Sequence, residues 1–181
     1  NEKSNNKLIL NNLLLIDTHI SFNRKRVNID WQTQEAFIGF TEKNIIINAK
    51  IFSEKLIVNK RDYIYKKQVI LNTALEVIKD SILIQKGSTI HIENVKIKLS
   101  GEIFQGKILD LDFACEEQEL INIIKSTPMY LKSIYRSFQA NGIVNCNGNI
   151  KGLISKESNP YLEMVCNIKN GSLNLKSRPF I

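Results

Sequence analysis

The chain has 181 residues, of which 43% are hydrophobic and 24% charged. That balance fits one folded domain, or a piece of a larger one, and excludes a disordered chain. The net charge is +7, from 25 basic and 18 acidic residues. The lysines alternate with apolar residues, as in Val95-Lys96-Ile97-Lys98-Leu99. The charge therefore reads first as the wet face of a sheet, next as a surface for anionic lipid, and least as a nucleic-acid site. The densest basic run, Arg24-Lys25-Arg26, follows Phe22 at a turn and lacks the interleaved aromatics of single-strand binders.

In chain order, period-2 alternation dominates. Ile16, Thr18, Ile20 and Phe22 share one strand face, then Val27, Ile29 and Trp31, then Ala36, Ile38 and Phe40. Ile45, Ile47, Ala49 and Ile51 form the next strand, and Leu56 to Val58 a shorter one. The Lys60-Arg61-Asp62 turn separates that strand from Tyr63-Ile64-Tyr65. Val69, Leu71, Thr73, Leu75 and Val77 alternate too. Leu71, Leu75 and Ile78 would also suit a helical face, but the neighbouring strands favour strand. Ile82 and Ile84 end at a Lys86-Gly87 turn. The apolar parity then switches at Glu93-Asn94, as a bulge or a turn requires.

Gln105-Gly106-Lys107 is a further turn or bulge, followed by a strand through Leu109, Leu111, Phe113 and Cys115. Glu116, Glu117 and Glu119 then suit the start of a helix carrying Leu120, Ile123 and Ile124 and closed by Lys125. Thr127-Pro128 reads as the N-cap and first position of a second helix, with Leu131, Ile134, Tyr135 and Phe138 on one face. This helical hairpin, near residues 116–139, should cover one end or side of the sheet. Strands resume with Val144, Cys146, Gly148, Ile150 and Gly152 on one face. Leu162, Met164, Cys166 and Ile168 follow, and Asn170-Gly171 reads as a hairpin. The fold class is mainly β: a curved, extended antiparallel sheet, or β-groove, with one short helical hairpin.

Little here suggests catalysis. His19 and His91 sit mid-strand, and Asp110 and Asp112 alternate with apolar residues as a wet face does. There is no nucleophile elbow, P-loop or dinucleotide fingerprint. Neither an enzyme, a metal nor a cofactor is expected. The three cysteines, Cys115, Cys146 and Cys166, have no zinc-ligand spacing. Cys146 and Cys166, on successive strands, could pair in an oxidising compartment, but buried free thiols are the favoured reading. The sequence contains no signal peptide or membrane span; the longest apolar run, within Asn12 to Asp17, is far too short. A start at Asn1 and an end at Phe180-Ile181 suggest a fragment. A sheet this long must curl, close or be covered. If it curls without closing, its apolar face needs an apolar filling, supplied by a bound molecule or by helices or a second sheet.

One segment has a distinctive order: Leu99-Ser100-Gly101-Glu102-Ile103, Leu109 to Phe113, Leu120 to Ile124, Thr127-Pro128, Asn141-Gly142-Ile143, Asn149-Ile150-Lys151-Gly152, Asn159-Pro160-Tyr161 and Lys169-Asn170-Gly171. In that order it resembles the core of the AsmA-like family of bacterial envelope proteins, which includes TamB-type bridge-like lipid carriers, and is closest to the Bacteroidota branch. The likeness covers residues 68–181, while residues 1–67 share only the style of short alternating strands. The two stretches read as one continuous domain.

The resemblance implies a periplasmic body, anchored to the inner membrane by a helix outside this segment. The implied role is carrying phospholipid or another acyl-chain lipid between membranes, or supporting outer-membrane biogenesis. On that reading the groove lining comprises Leu109, Leu111, Phe113, Val144, Cys146, Ile150, Leu162, Met164, Cys166 and Ile168. The parity that faces the groove is taken from apolarity. The alternative is a structural or assembly module that pairs with envelope proteins through its sheet edges. Nucleic acid is not an expected partner.

Overall fold

The computed structural model describes residues 10–24, 27–128, 138–155, 158 and 160–175. Among them the chain forms nine strands and one short helix. The strands are β1 (Asn12–Arg24), β2 (Val27–Phe40), β3 (Asn44–Val58), β4 (Arg61–Ile78), β5 (Ser81–Ile92), β6 (Val95–Phe104), β7 (Ile108–Glu119), β8 (Phe138–Leu153) and β9 (Tyr161–Leu175). The helix α1 (Leu120–Ser126) lies between β7 and β8. All nine strands join one antiparallel sheet in sequence order. β1 and β9 are its edges and do not pair with each other, so the sheet is open. β4 runs unbroken across residues 67 and 68, so the sheet is continuous there.

Short connections make this order obligatory. Asn59-Lys60, Lys79-Asp80 and Glu93-Asn94 are two-residue turns, with positive φ at Asn59, Lys60, Lys79 and Glu93. Tight hairpins between right-twisted strands need that backbone geometry. Asn suits it well; Lys79 and Glu93 carry no such sequence signal, and the Lys79-Asp80 turn is not legible in the sequence.

The strands are longer than alternation alone indicates, because several apparent breaks are bulges. Lys86-Gly87 lies inside β5, where the register against β6 shifts between Ile84 and Ser88. Asn170-Gly171 is not a hairpin either. β9 continues through it, with a register shift against β8 between Asn141 and Ile143 and Asn170 at φ 51°. The same left-handed preference that makes Asn-Gly a turn signal lets it absorb one extra residue in a strand.

Register then places most apolar residues on one face, although Leu14, Phe37, Ile46 and Val165 lie exposed on the other. Leu15, Ala36, Ala49, Leu71 and Ile90 form one continuous cross-strand row. A second runs Ile84, Gly101, Leu111, Ile150 and Leu162. The described residues contain no second sheet and only the seven-residue α1. Even so, Ala36, Ala49, Ile51, Val69, Ile84, Val95, Leu111 and Val144 on this face are buried. The sheet must therefore curl its apolar face inward. The paired alanines Ala36 and Ala49 lie at the bottom, under Leu15, Trp31, Ile47 and Leu71.

Gly148 allows a close packing step in this trough. A Cβ there would come within 2.6 Å of the Phe113 ring and would also strike the Glu163 carbonyl. Phe113 is the direct cross-strand neighbour of Gly148 and lies over the gap. Gly148→Val is expected to cost about 1–3 kcal/mol through overpacking, read as a lower midpoint in a thermal melt. An unchanged midpoint would show that the Phe113 ring and the β9 backbone at Glu163 can both give way freely.

Candidate functional site

The ten residues expected to line a groove fall on the inward face. Leu111 pairs across Ile150 to Leu162, Phe113 across Gly148 to Met164, and Cys115 across Cys146 to Cys166. Leu109 opposes Gly152. Beyond a bulge in β7, Gln118 opposes Val144, which pairs with Ile168. Exposure rises steadily outward. Leu111, Val144 and Cys146 are buried; Leu109, Phe113 and Ile150 are half-buried. On the edge strand, Leu162, Met164 and Ile168 keep 51–55% of their surface in water.

Helix α1 lies over the shielded part. Leu120 and Ile123 pack on Cys115, Val144 and Cys146, and Ile124 is half-buried. Its C-terminus reaches two more distant strands. Lys67 Nζ, on β4, donates to the carbonyl of Lys125 at 2.8 Å and of Thr127 at 3.3 Å. Ser126 Oγ donates to the Ile92 carbonyl at 3.2 Å. An ammonium at the last carbonyls satisfies acceptors that the helix leaves open and opposes the dipole. The seven-residue helix thus reaches from β7–β8 to the interior of β4 and the end of β5. Lys67 was not an obvious partner in the sequence; its only signal is a lysine on the apolar parity of its strand.

The helix departs from the sequence reading in two respects. Glu116, Glu117 and Glu119 belong to β7, where Glu117 takes φ 51° and its N–H is held by Asn145 Oδ1 at 2.9 Å. Cross-strand pairing and this bulge outcompete the helix-start preference of the acids. Thr127 is the C-cap of α1, and the second helix expected to start there falls on residues 129–137, outside the described residues. Phe138 begins β8, paired with Leu175. Leu131, Ile134 and Tyr135 lie outside the described residues.

The preference for free thiols is also overturned at two positions. Cys146 and Cys166 are directly opposed, with Cα atoms 4.3 Å apart, and form a disulfide. Only Cys115 is a free, buried thiol. Placing the two cysteines on apolar parities was sound, but their register depends on where β9 begins, which alternation does not give.

Under the β2–β3 part of the trough, Trp31 Nε1, Thr33 Oγ1 and Ser53 Oγ are buried without a hydrogen-bond partner. An unpaired buried hydroxyl costs stability. Thr33→Val keeps the shape and removes that hydroxyl, so the melting midpoint should stay level or rise. A clear fall would mean that the hydroxyl is engaged.

The outward face carries the ion pairs, alongside exposed Leu14, Phe37, Ile46 and Val165. His19 meets Asp30 at 2.6 Å, and Lys55 lies 3.7 Å from the same carboxylate. Asn149 Nδ2 bridges Asp110 and Asp112 at 3.2 and 3.1 Å, and Lys151 reaches Asp110 at 2.7 Å. Hydrogen bonds from Lys151 and then Asn149 hold the Asp110 carboxyl below its ordinary 3.8, and the same contact raises Lys151 above 10.5. An open cleft of about 590 Å³ is bordered by residues of both parities on β5–β9, among them Lys98, Asp112, Asn149 and Glu163 together with Leu99, Phe113, Met164 and Val165. Among the described residues no cluster of three His, Cys, Asp or Glu could hold a metal ion, and no helix is long and apolar enough to cross a membrane.

The sign of the Asp110 contribution follows from these shifts. A depressed carboxyl stabilises above its ordinary range and loses that contribution as pH falls through the lowered value. The raised lysine keeps its share below 10.5 and loses it as pH rises through the higher value. Lys151→Met should move the Asp110 carboxyl part of the way back toward 3.8, because Asn149 still donates. A carbon-detected NMR titration reads this directly, and an unmoved Asp110 would remove the ion pair from the account.

No protein-family model matches the chain, and neither a curated protein nor a solved structure matches it.

Proposed function

We propose that the chain is part of a lipid-carrying groove: a curved antiparallel sheet whose inward apolar face shields acyl chains while head groups remain in water. The observation that carries this reading is the continuous apolar face. It spans nine strands and turns inward without a second layer among the described residues, and it remains open toward β9. The trough offers a half-exposed apolar wall at Leu162, Met164 and Ile168 rather than an enclosed cavity. Binding would be passive, with each methylene removed from water contributing about 0.8 kcal/mol.

The resemblance to AsmA-like proteins in the order of residues 99–171 supports the same reading. It adds the expected setting: a periplasmic body, anchored to the inner membrane through a segment outside this sequence, that carries phospholipid or supports outer-membrane biogenesis. No step of catalysis belongs to this reading. The polar groups that come together, such as Asp110, Asp112, Asn149 and Lys151, are surface residues already bonded to one another.

A second reading has its own observation. β9 is exposed on both faces, with Val165 at 61% and Leu173 at 58%, and its outer backbone edge has no partner strand among the described residues. Such an edge can add a strand from an envelope protein, which would make the chain an assembly module without lipid.

Native mass spectrometry of the purified protein separates the two. The lipid reading expects co-purified phospholipid, and Met164→Asp should reduce that occupancy severalfold with little change in melting temperature, because Met164 is 55% exposed. Lipid-free protein that takes up no phospholipid from vesicles would sink this reading in favour of the assembly module.

A further inference from the structure

The three cysteines of the chain occupy one cross-strand row. Cys115 on β7 is the register partner of Cys146 on β8, and Cys146 is the register partner of Cys166 on β9. All three side chains therefore project from the same face. The bridge joins the outer pair of strands, and the remaining thiol, Cys115, packs in one buried cluster with Cys146. Directly opposed residues on neighbouring strands have Cα atoms about 4.5–5.5 Å apart. That range lies within what a disulfide spans, so β7–β8 can accept the bridge as readily as β8–β9.

We infer that this row is a thiol–disulfide relay, in which Cys115 displaces Cys166 from Cys146 and moves the bridge inward by one strand. The Cys115 thiolate attacks Cys146 Sγ. The Cys115–Cys146 bond forms as the Cys146–Cys166 bond breaks, and the electron pair leaves on Cys166 Sγ, which takes up the proton lost from Cys115. No external oxidant or reductant enters, because one disulfide and one thiol are present before and after.

The row also supplies the geometry. Exchange proceeds by a thiolate attacking one sulfur of a disulfide. β7 and β9 flank β8 on opposite sides, so attacking and leaving sulfurs stand on opposite sides of the central one. Leu120 and Ile123 of α1 cover Cys115 and Cys146, while Cys166 is exposed. The interior pair is thus sheltered from outside thiols, whereas the released sulfur emerges on the edge strand. The two forms differ in consequence. With the bridge at Cys146–Cys166 the edge strand is covalently fastened to the sheet. With it at Cys115–Cys146, β9 is held by its ladder alone and presents a reactive thiol. This inference does not depend on the groove reading.

The test uses the folded protein without reductant. Samples held between pH 5 and pH 9 are treated with N-ethylmaleimide, quenched in acid and digested with pepsin, so that no exchange follows the quench. Peptide mapping should find both Cys146–Cys166 and Cys115–Cys146 bridges, with maleimide on the exposed Cys166 in the second form. The interconversion rate should rise about tenfold per pH unit while the attacking thiol is mainly protonated. Cys166→Ala, folded by circular dichroism and exposed to hydrogen peroxide, an oxidant far smaller than glutathione disulfide, should close Cys115–Cys146. Cys146→Ala should form no bridge, since Cys115 and Cys166 lie two strands apart. If the folded wild-type protein shows only Cys146–Cys166 at every pH, or the second bridge arises only in urea, the relay is overturned. The wild-type map decides the matter even if a variant fails to fold.

Discussion

The structure depends on how a single-layer sheet keeps its apolar face out of water. Strands of 10 to 18 residues place mostly hydrophobic side chains inward at alternate positions, and the described residues supply only seven helical residues to cover them. A flat sheet would leave that face wet, at roughly 25 cal/mol for each Å² of apolar surface. Curling is the remaining solution. It is enabled by small residues where the curve is tight, such as the Ala36–Ala49 pair, and by glycines such as Gly101 and Gly148, where an added Cβ would strike neighbouring backbone. Register shifts along β2, β3, β5, β7 and β8 supply the extra bend and twist that bulges give a strand.

Curvature obtained this way must be held, because an open sheet can unroll from its edges. Two devices oppose that here. Helix α1 ties the β7–β8 end to β4 and β5 through Lys67 and Ser126, and the Cys146–Cys166 bridge fastens β9 to β8. Both act on the second half of the sheet, where exposure is greatest. Ion pairs on the outer face, such as Lys98–Glu116 with both partners more than half exposed, contribute little by comparison.

The fold class was legible because alternation is a local property. Whether residues 109, 111 and 113 share a face is settled by period 2 alone, and register then brought the expected lining onto one side. What the sequence did not reveal was where the alternation is interrupted without the chain turning back. Lys86-Gly87 and Asn170-Gly171 carry turn chemistry, yet both are bulges, because the left-handed backbone conformation serves either purpose. The acids Glu116 to Glu119 suit a helix start, yet the partner strand β8 claims them for β7. Long-range pairing decided each case, and pairing cannot be read from a window of ten residues. The disulfide belongs to the same class: the parities of Cys146 and Cys166 were readable, their opposition was not.

A trough of this kind constrains what it can discriminate. An enclosed pocket selects by shape and by convergent polar groups. Here the inward face of β7–β9 is aliphatic apart from Phe113, Gln118 and the sulfur-bearing side chains, and the charged residues on those strands point to the other face. An occupant on the Leu162–Met164–Ile168 wall would be held by the area it removes from water, which grows with each methylene and is indifferent to its head group. Under the lipid reading, affinity should therefore follow acyl-chain length far more strongly than head-group identity. Any head-group preference would have to come from residues at the rim, where lysines outnumber acids over the chain as a whole. Attraction of that kind is screened by salt, whereas the contribution of apolar area is not, so the two sources of selectivity separate cleanly with ionic strength.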